Sequence, residues 1–186
     1  MEIVEGDARD LDAAGARFDV VHCRLVLMHQ FDADAFLAGM VACARPGGRV
    51  GAQEYDDTII SVSVEPPQPD LEAVIPAAAA FYASTGIDGR AGGKLLDRFR
   101  RAGLRDLRAE AETPYFALTD PRAALLFAQF ERLGDRCAAL GAMAAAAYDA
   151  HWAALRRAHE DPAYAGHLVR YLTMAATVGT TPGAPE

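Results

Sequence analysis

A chain of 186 residues, 52% hydrophobic and 24% charged, can bury a real core and is too apolar to be disordered. Its net charge of −8 and lack of any long basic stretch exclude nucleic acid and anionic membrane surfaces as expected partners. Three widely spaced cysteines (Cys23, Cys43, Cys137) argue against a disulfide framework and fit a reducing cytoplasm, and no apolar run is long enough to span a membrane.

The chain opens in a strand, Ile3–Val4, stopped at Gly6-Asp7. A domain that begins inside a strand is expected to have lost upstream structure. After a polar loop to Arg17, the run Phe18 to Leu27 is almost continuously apolar, as in a parallel-sheet strand covered on both faces. Asp32 or Asp34 can cap a helix whose stripe is Phe36, Leu37, Met40, Val41 and Ala44, and Pro46-Gly47-Gly48 ends it. Arg49 to Tyr55 reads as the next strand, completing a βαβ unit with a right-handed crossover.

Prolines make 56–69 a loop, and 70–84 has a helical stripe (Leu71, Val74, Ile75, Ala78, Phe81, Tyr82). Gly86 to Gly93 reads as a flexible link and Lys94 to Ala102 as a short helix closed by Gly103. Leu104 to Glu112 alternates like a strand. Asp120-Pro121 starts a helix running to Leu133, Gly134-Asp135 breaks it, and an alanine-rich helix continues to about His159. Leu168 to Val178 returns to strand character, and the tail from Thr180 frays.

Five segments in order carry a resemblance: Val4-Glu5-Gly6-Asp7-Ala8, Phe18-Asp19-Val20-Val21, Arg45-Pro46-Gly47-Gly48-Arg49-Val50, Gly92 to Leu107, and Tyr171 to Pro182. Together they resemble the small-molecule class I S-adenosylmethionine-dependent methyltransferases, the group that includes the ubiquinone and menaquinone C-methyltransferases. The resemblance implies an α/β, Rossmann-like, mostly parallel sheet with an antiparallel last strand. The family's strand order is 3-2-1-4-5-7-6, and this chain has counterparts for strands three to seven. It lacks the first two strands, one with a Gly-x-Gly-x-Gly turn and one with an acidic ribose ligand. The expectation is one partial domain over 1–182. Strands three to five fall in 1–60, helices and strand six in 61–112, a helical insertion in 120–160 and strand seven in 168–179.

The implied cofactor is S-adenosylmethionine, and the implied acceptor is a small molecule. The resemblance aligns Asp7 and Ala8 with adenine contacts and Arg24 with a contact at the end of strand four. Asp7 can equally cap its own turn, and Arg24 can simply seek solvent. His29, just past that strand, is a candidate general base or a polar turn residue. Glu54, Tyr55 and Asp56, at the exit of strand five, are candidate substrate contacts.

No metal site is expected from His22, Cys23 and His29, because His22 and Cys23 point to opposite faces of a strand. Ala91-Gly92-Gly93-Lys94 is no phosphate loop, since Asp88 stands where the first glycine belongs and Leu95 follows the lysine. Without the glycine turn, methyl transfer should be impaired in this chain. The alternative is a non-catalytic relative that acts through an interaction surface or as a homodimer. A dehydrogenase is the weaker reading, because no Gly-x-Gly-x-x-Gly follows any strand. With strand one missing, Val20 to Leu27 should form an open edge that Ile3–Val4 covers or that drives self-association.

Overall fold

The computed structural model describes residues 7, 17–56 and 59–183. In chain order these form β1 (Phe18–Arg24), α1 (Ala33–Cys43), β2 (Ala44–Tyr55), β3 (Ser63–Glu65), α2 (Pro69–Ser84), α3 (Ala91–Arg101), β4 (Arg105–Glu112), β5 (Tyr115–Ala117), α4 (Ala124–Phe130), α5 (Gly134–Ala139), α6 (Ala145–Glu160), β6 (Leu168–Arg170) and β7 (Met174–Thr180). Short 3-10 turns lie between them, including one over Leu27–His29. The chain divides into two compact units, 1–56 with 88–112 and 174–186, and 57–87 with 113–173.

The first unit is built on a four-stranded sheet of order β1-β2-β7-β4. β1 and β2 are parallel, while β7 runs antiparallel to both β2 and β4. Alternation gives the sheet two unlike faces. On one, Cys23, Val50, Ala52 and Glu54 are buried with Leu37 and Met40 of α1 and Leu95 and Phe99 of α3. The other carries His22, Arg24, Arg49 and Arg108 in solvent, and Val20 is 62% exposed.

Local chemistry sets the helix ends. The Asp32 carboxylate accepts the Ala35 amide at 2.8 Å, capping α1 as its position suggested. At the end of α3, Gly103 has φ +79, and the Gly103 and Leu104 amides donate to the Arg100 and Phe99 carbonyls at 3.1 and 3.2 Å. That paired closure needs a left-handed residue at its corner, the role glycine fills at least cost.

The second unit packs α2 against α5 and α6 beside a small antiparallel sheet of order β3-β6-β5. Trp152 and Tyr148 of α6 lie at its centre, with Phe127 edge-on to Trp152 at 5.7 Å. Tyr148 donates its buried hydroxyl to the Phe130 carbonyl at 2.7 Å. His159 Nδ1 lies 2.7 Å from the Leu118 carbonyl. A carbonyl only accepts, so the proton of that bond sits on Nδ1.

Several elements differ from the sequence expectation. α3 begins at Ala91 rather than Lys94, so Gly92 and Gly93 form its first turn instead of a loose link. The single strand expected over 168–178 is two strands in different sheets. Tyr171 and Leu172 are both buried, and two consecutive buried side chains break the alternation one strand requires. The alanine-rich helix stops at α5 and restarts at α6. Gly141 (φ +68) and Ala142 donate to Ala138 and Cys137 in the same closure seen at Gly103. β3 arises in the 56–69 segment expected to be loop, and β5 in 113–119, where no element was expected. The expected strand Ile3–Val4 lies outside the described residues. Among the described residues, β1 pairs only with β2.

Candidate functional site

The parallel pair β1–β2 ends in the residues that carry most of the candidate chemistry. β1 stops at Arg24 because Leu25 adopts φ +54, a left-handed conformation rare for a branched side chain. The chain then turns sharply into the Leu27–His29 turn, and the neighbouring strand fixes that path. The Leu25 amide donates to the Gln53 carbonyl at 2.8 Å. Glu54, with no exposed surface, accepts the Val26 and Leu27 amides on Oε1 at 2.9 and 2.8 Å and the Met28 amide on Oε2 at 3.3 Å.

The next two amides, His29 and Gln30, donate to the Val26 and Leu27 carbonyls at 3.0 and 3.1 Å. Six consecutive amide hydrogens, from Leu25 to Gln30, therefore have protein acceptors. This loop can present side chains and carbonyl oxygens to a ligand, but no free backbone donor.

Burial, then the negative charge of Glu54, pushes the Cys23 thiol up to about 12. At neutral pH it is a packed, protonated side chain and not a nucleophile.

The structure sorts the candidates. Arg24 and His29 are exposed on either side of the Glu54-bound segment. Glu54 is buried, and its carboxylate is engaged by the backbone. Tyr55 and Asp56 continue half-buried from the strand end. Asp56 accepts the Gly93 amide at 2.8 Å, so it caps the start of α3. Asp7 is exposed, and Ala8 lies outside the described residues. Among the described residues no group of three histidine, cysteine or acidic side chains could hold a metal ion.

Sequence reasoning missed the role of Gly92. A Cβ there would lie 2.8 Å from the Glu54 carbonyl and 2.9 Å from the Ala175 Cβ. Glycine is what lets α3 approach the end of β2 this closely. The Gly92-Gly93 pair was the available signal, but it also suits a flexible link. Nearby, Asp88 accepts two bonds from Lys94 at 2.9 and 2.7 Å. Partial burial pushes the Asp88 carboxyl up, but its bonds to Lys94 and the Arg90 amide outweigh that and hold it below the usual carboxylate range.

Residues 1–51 match the family model of a methyltransferase domain. That span takes in β1, the Glu54-bound loop, α1 and the first two-thirds of β2. The match supports the class I S-adenosylmethionine-dependent methyltransferase resemblance. The sheet order β1-β2-β7-β4, with β7 antiparallel, is the 4-5-7-6 run that the resemblance implies. The chain is Rossmann-like α/β.

Among solved structures, phosphoethanolamine N-methyltransferase 2 of Haemonchus contortus, bound to phosphomonomethylethanolamine and S-adenosylhomocysteine, is 17% identical, with a TM-score of 0.43 over 89% of this chain and 33% of its own. A candidate methyltransferase of Bacillus halodurans is 13% identical, with a TM-score of 0.49 over 96% of this chain and 70% of its own. An arsenic(III) S-adenosylmethionine methyltransferase of Chlamydomonas reinhardtii is 16% identical, with a TM-score of 0.43 over 97% of this chain and 44% of its own. The chain thus spans about a third of the Haemonchus protein. No curated protein matches it. Among the described residues no helix is long and apolar enough to cross a membrane.

Proposed function

We propose that the chain carries out S-adenosylmethionine-dependent methyl transfer to a small molecule, and that it does so weakly on its own. The observation that carries this reading is the methyltransferase-domain match over residues 1–51, which ends within the β1–β2 pair. The cofactor supplies an electrophilic methyl group on its sulfonium. This chain's part is in-line alignment, which positioning alone can accelerate greatly. No strong acid–base constellation is then needed. Exposed His29 is the group best suited to take a proton from an acceptor hydroxyl or amine.

The fit to the cofactor is partial. Asp7 and Arg24 offer side chains for the adenosine end. The methionine end calls for backbone donors, and the loop after β1 has none free. The sequence holds no Gly-x-Gly-x-Gly to provide others. Photo-crosslinking with methyl-labelled S-adenosylmethionine, competed by S-adenosylhomocysteine, tests the reading. Competable labelling with a dissociation constant well above micromolar is expected. Absence of competable labelling at any concentration would remove methyl transfer. Micromolar affinity would show that the glycine turn is dispensable. A second reading, action through an interaction surface, is favoured by the open strand at the far side of the same sheet.

A further inference from the structure

β4 closes one side of the first unit's sheet. It pairs with β7 and, among the described residues, with no strand beyond. Every residue of β4 except Leu107 is exposed. A long exposed edge offers a row of unpaired amides and carbonyls, a ready template for another strand. Natural edges are commonly blunted by charge, and this one is charged in an ordered way: Arg105 and Arg108 toward its start, Glu110 and Glu112 toward its end.

In an antiparallel pair, directly opposite residues lie on the same face. A β4 strand laid against a second copy about a two-fold axis through Ala109 sets Arg108 opposite Glu110 of the second copy. Symmetry repeats that pair on the other side of the axis. On the opposite face Leu107 meets Ala111 twice, and Ala109 meets itself. Centring the pair on Arg108 would oppose two guanidiniums, and centring it on Glu110 would oppose two carboxylates.

The next pair outward would set Asp106 against Glu112. Asp106, however, has φ +51 and lies with Leu107 in the irregularity between Arg105 and Arg108, so the regular ladder ends at Arg108, before those like charges meet. The charge pattern thus selects one register, and because it is complementary to its own reverse, it selects a second copy over an unrelated strand.

We infer that β4 is a homodimer edge. Two copies pair β4 to β4 antiparallel over Leu107–Ala111, joining two four-stranded sheets into one of eight strands. This assignment does not depend on methyl transfer. The full 186-residue chain is tested by sedimentation equilibrium from about 1 μM to about 1 mM, the range where edge pairing of this length should act. A concentration-dependent dimer is expected, with amides of Leu107–Ala111 exchanging more slowly as it forms.

Arg108→Glu converts both attractive cross-strand pairs into repulsive ones and should weaken the dimer about tenfold or more. Glu110→Arg should do the same. The double variant Arg108→Glu/Glu110→Arg restores both pairs and should return the affinity to near that of the parent. Both side chains are exposed, so folding is spared, as circular dichroism would verify. A monomer at every concentration overturns the inference. So does a dimer indifferent to the single changes, which would place contact at β1 or on the exposed sheet face. So does a double variant as weak as either single.

Discussion

Removing the Glu54 carboxylate should free the loop between Arg24 and Gln30 while leaving the sheet beneath it intact. Glu54→Ala deletes the acceptor for three amides, at 2.9, 2.8 and 3.3 Å. Bonds to a charged group contribute about 1.5–3 kcal/mol each, so three would sum to about 4–9 kcal/mol if independent. Val26 and Met28 are only half-buried, and water can reach their amides once the carboxylate is gone. Leu27 is 2% exposed and its amide cannot recover so readily. A net local cost of about 3–5 kcal/mol follows. Glu54→Gln keeps one oxygen for Val26 and Leu27 but turns an amide nitrogen toward the Met28 donor, at about 1–2 kcal/mol. Native-state hydrogen exchange reads this locally. The Leu27 amide should exchange at least a hundredfold faster in the alanine variant, at about 1.4 kcal/mol per factor of ten, and tenfold or so faster in the glutamine variant. The Val50 and Ala52 amides of β2 are the control, since a global loss of stability would accelerate all of them equally. A Leu27 amide within twofold of the parent rate in Glu54→Ala would refute the role assigned to this carboxylate.

The other expectations are simpler to test. Gly92→Ala should destabilise the first unit by about 1–3 kcal/mol in urea, despite alanine's better helix propensity, because its Cβ meets a backbone oxygen at 2.8 Å. An unchanged midpoint would mean that α3 shifts freely. Ellman's reagent at pH 8 should find no fast thiol in the native chain and three in guanidinium, since Cys23, Cys43 and Cys137 are buried and form no disulfide. The folded value of Cys23 lies above its ordinary 9.0, so its contribution is complete below pH 9 and is lost as pH rises toward about 12. Bonds from the Arg122 guanidinium, then from its amide, lower Asp120 to about 2. Its contribution is complete above the ordinary value of 3.8 and is lost as pH falls through about 2. A carboxyl titration by NMR with its midpoint near 4 would contradict that pairing.

What the sequence disclosed depended on how local each signal was. The Asp32 cap and the Gly103 terminus are written in adjacent residues, and the structure has both; the apolar run after Phe18 does form a strand, but one that ends at Arg24 and buries only Cys23 instead of being covered on both faces. The pairing of β7 between β2 and β4 is not local, and only the family resemblance implied it. Periodicity failed where the chain changed unit. Leu168 to Val178 looks like one apolar strand, yet Val169 lies in β6 and Ala175 in β7, two different sheets joined through the buried Tyr171 and Leu172, which composition cannot separate. Gly141 was hidden by the alanines around it, because helix propensity is a weak prior against a left-handed corner that closes two hydrogen bonds.

Glu54 shows the limit most clearly. A glutamate at the end of a buried strand, followed by Tyr55 and Asp56, has the pattern of a group reaching for substrate. Nothing local to Glu54 signals that three amides 26 to 28 residues earlier in the chain converge on it. That convergence changes what the end of β1 can do. A loop whose amides are all satisfied holds its shape without a ligand, so Arg24 and His29 are carried on a preorganised segment. The same saturation removes that segment as a cradle for an anionic group, because carbonyl oxygens repel a carboxylate. Recognition of a methionine carboxylate therefore has to draw on donors outside residues 25–30.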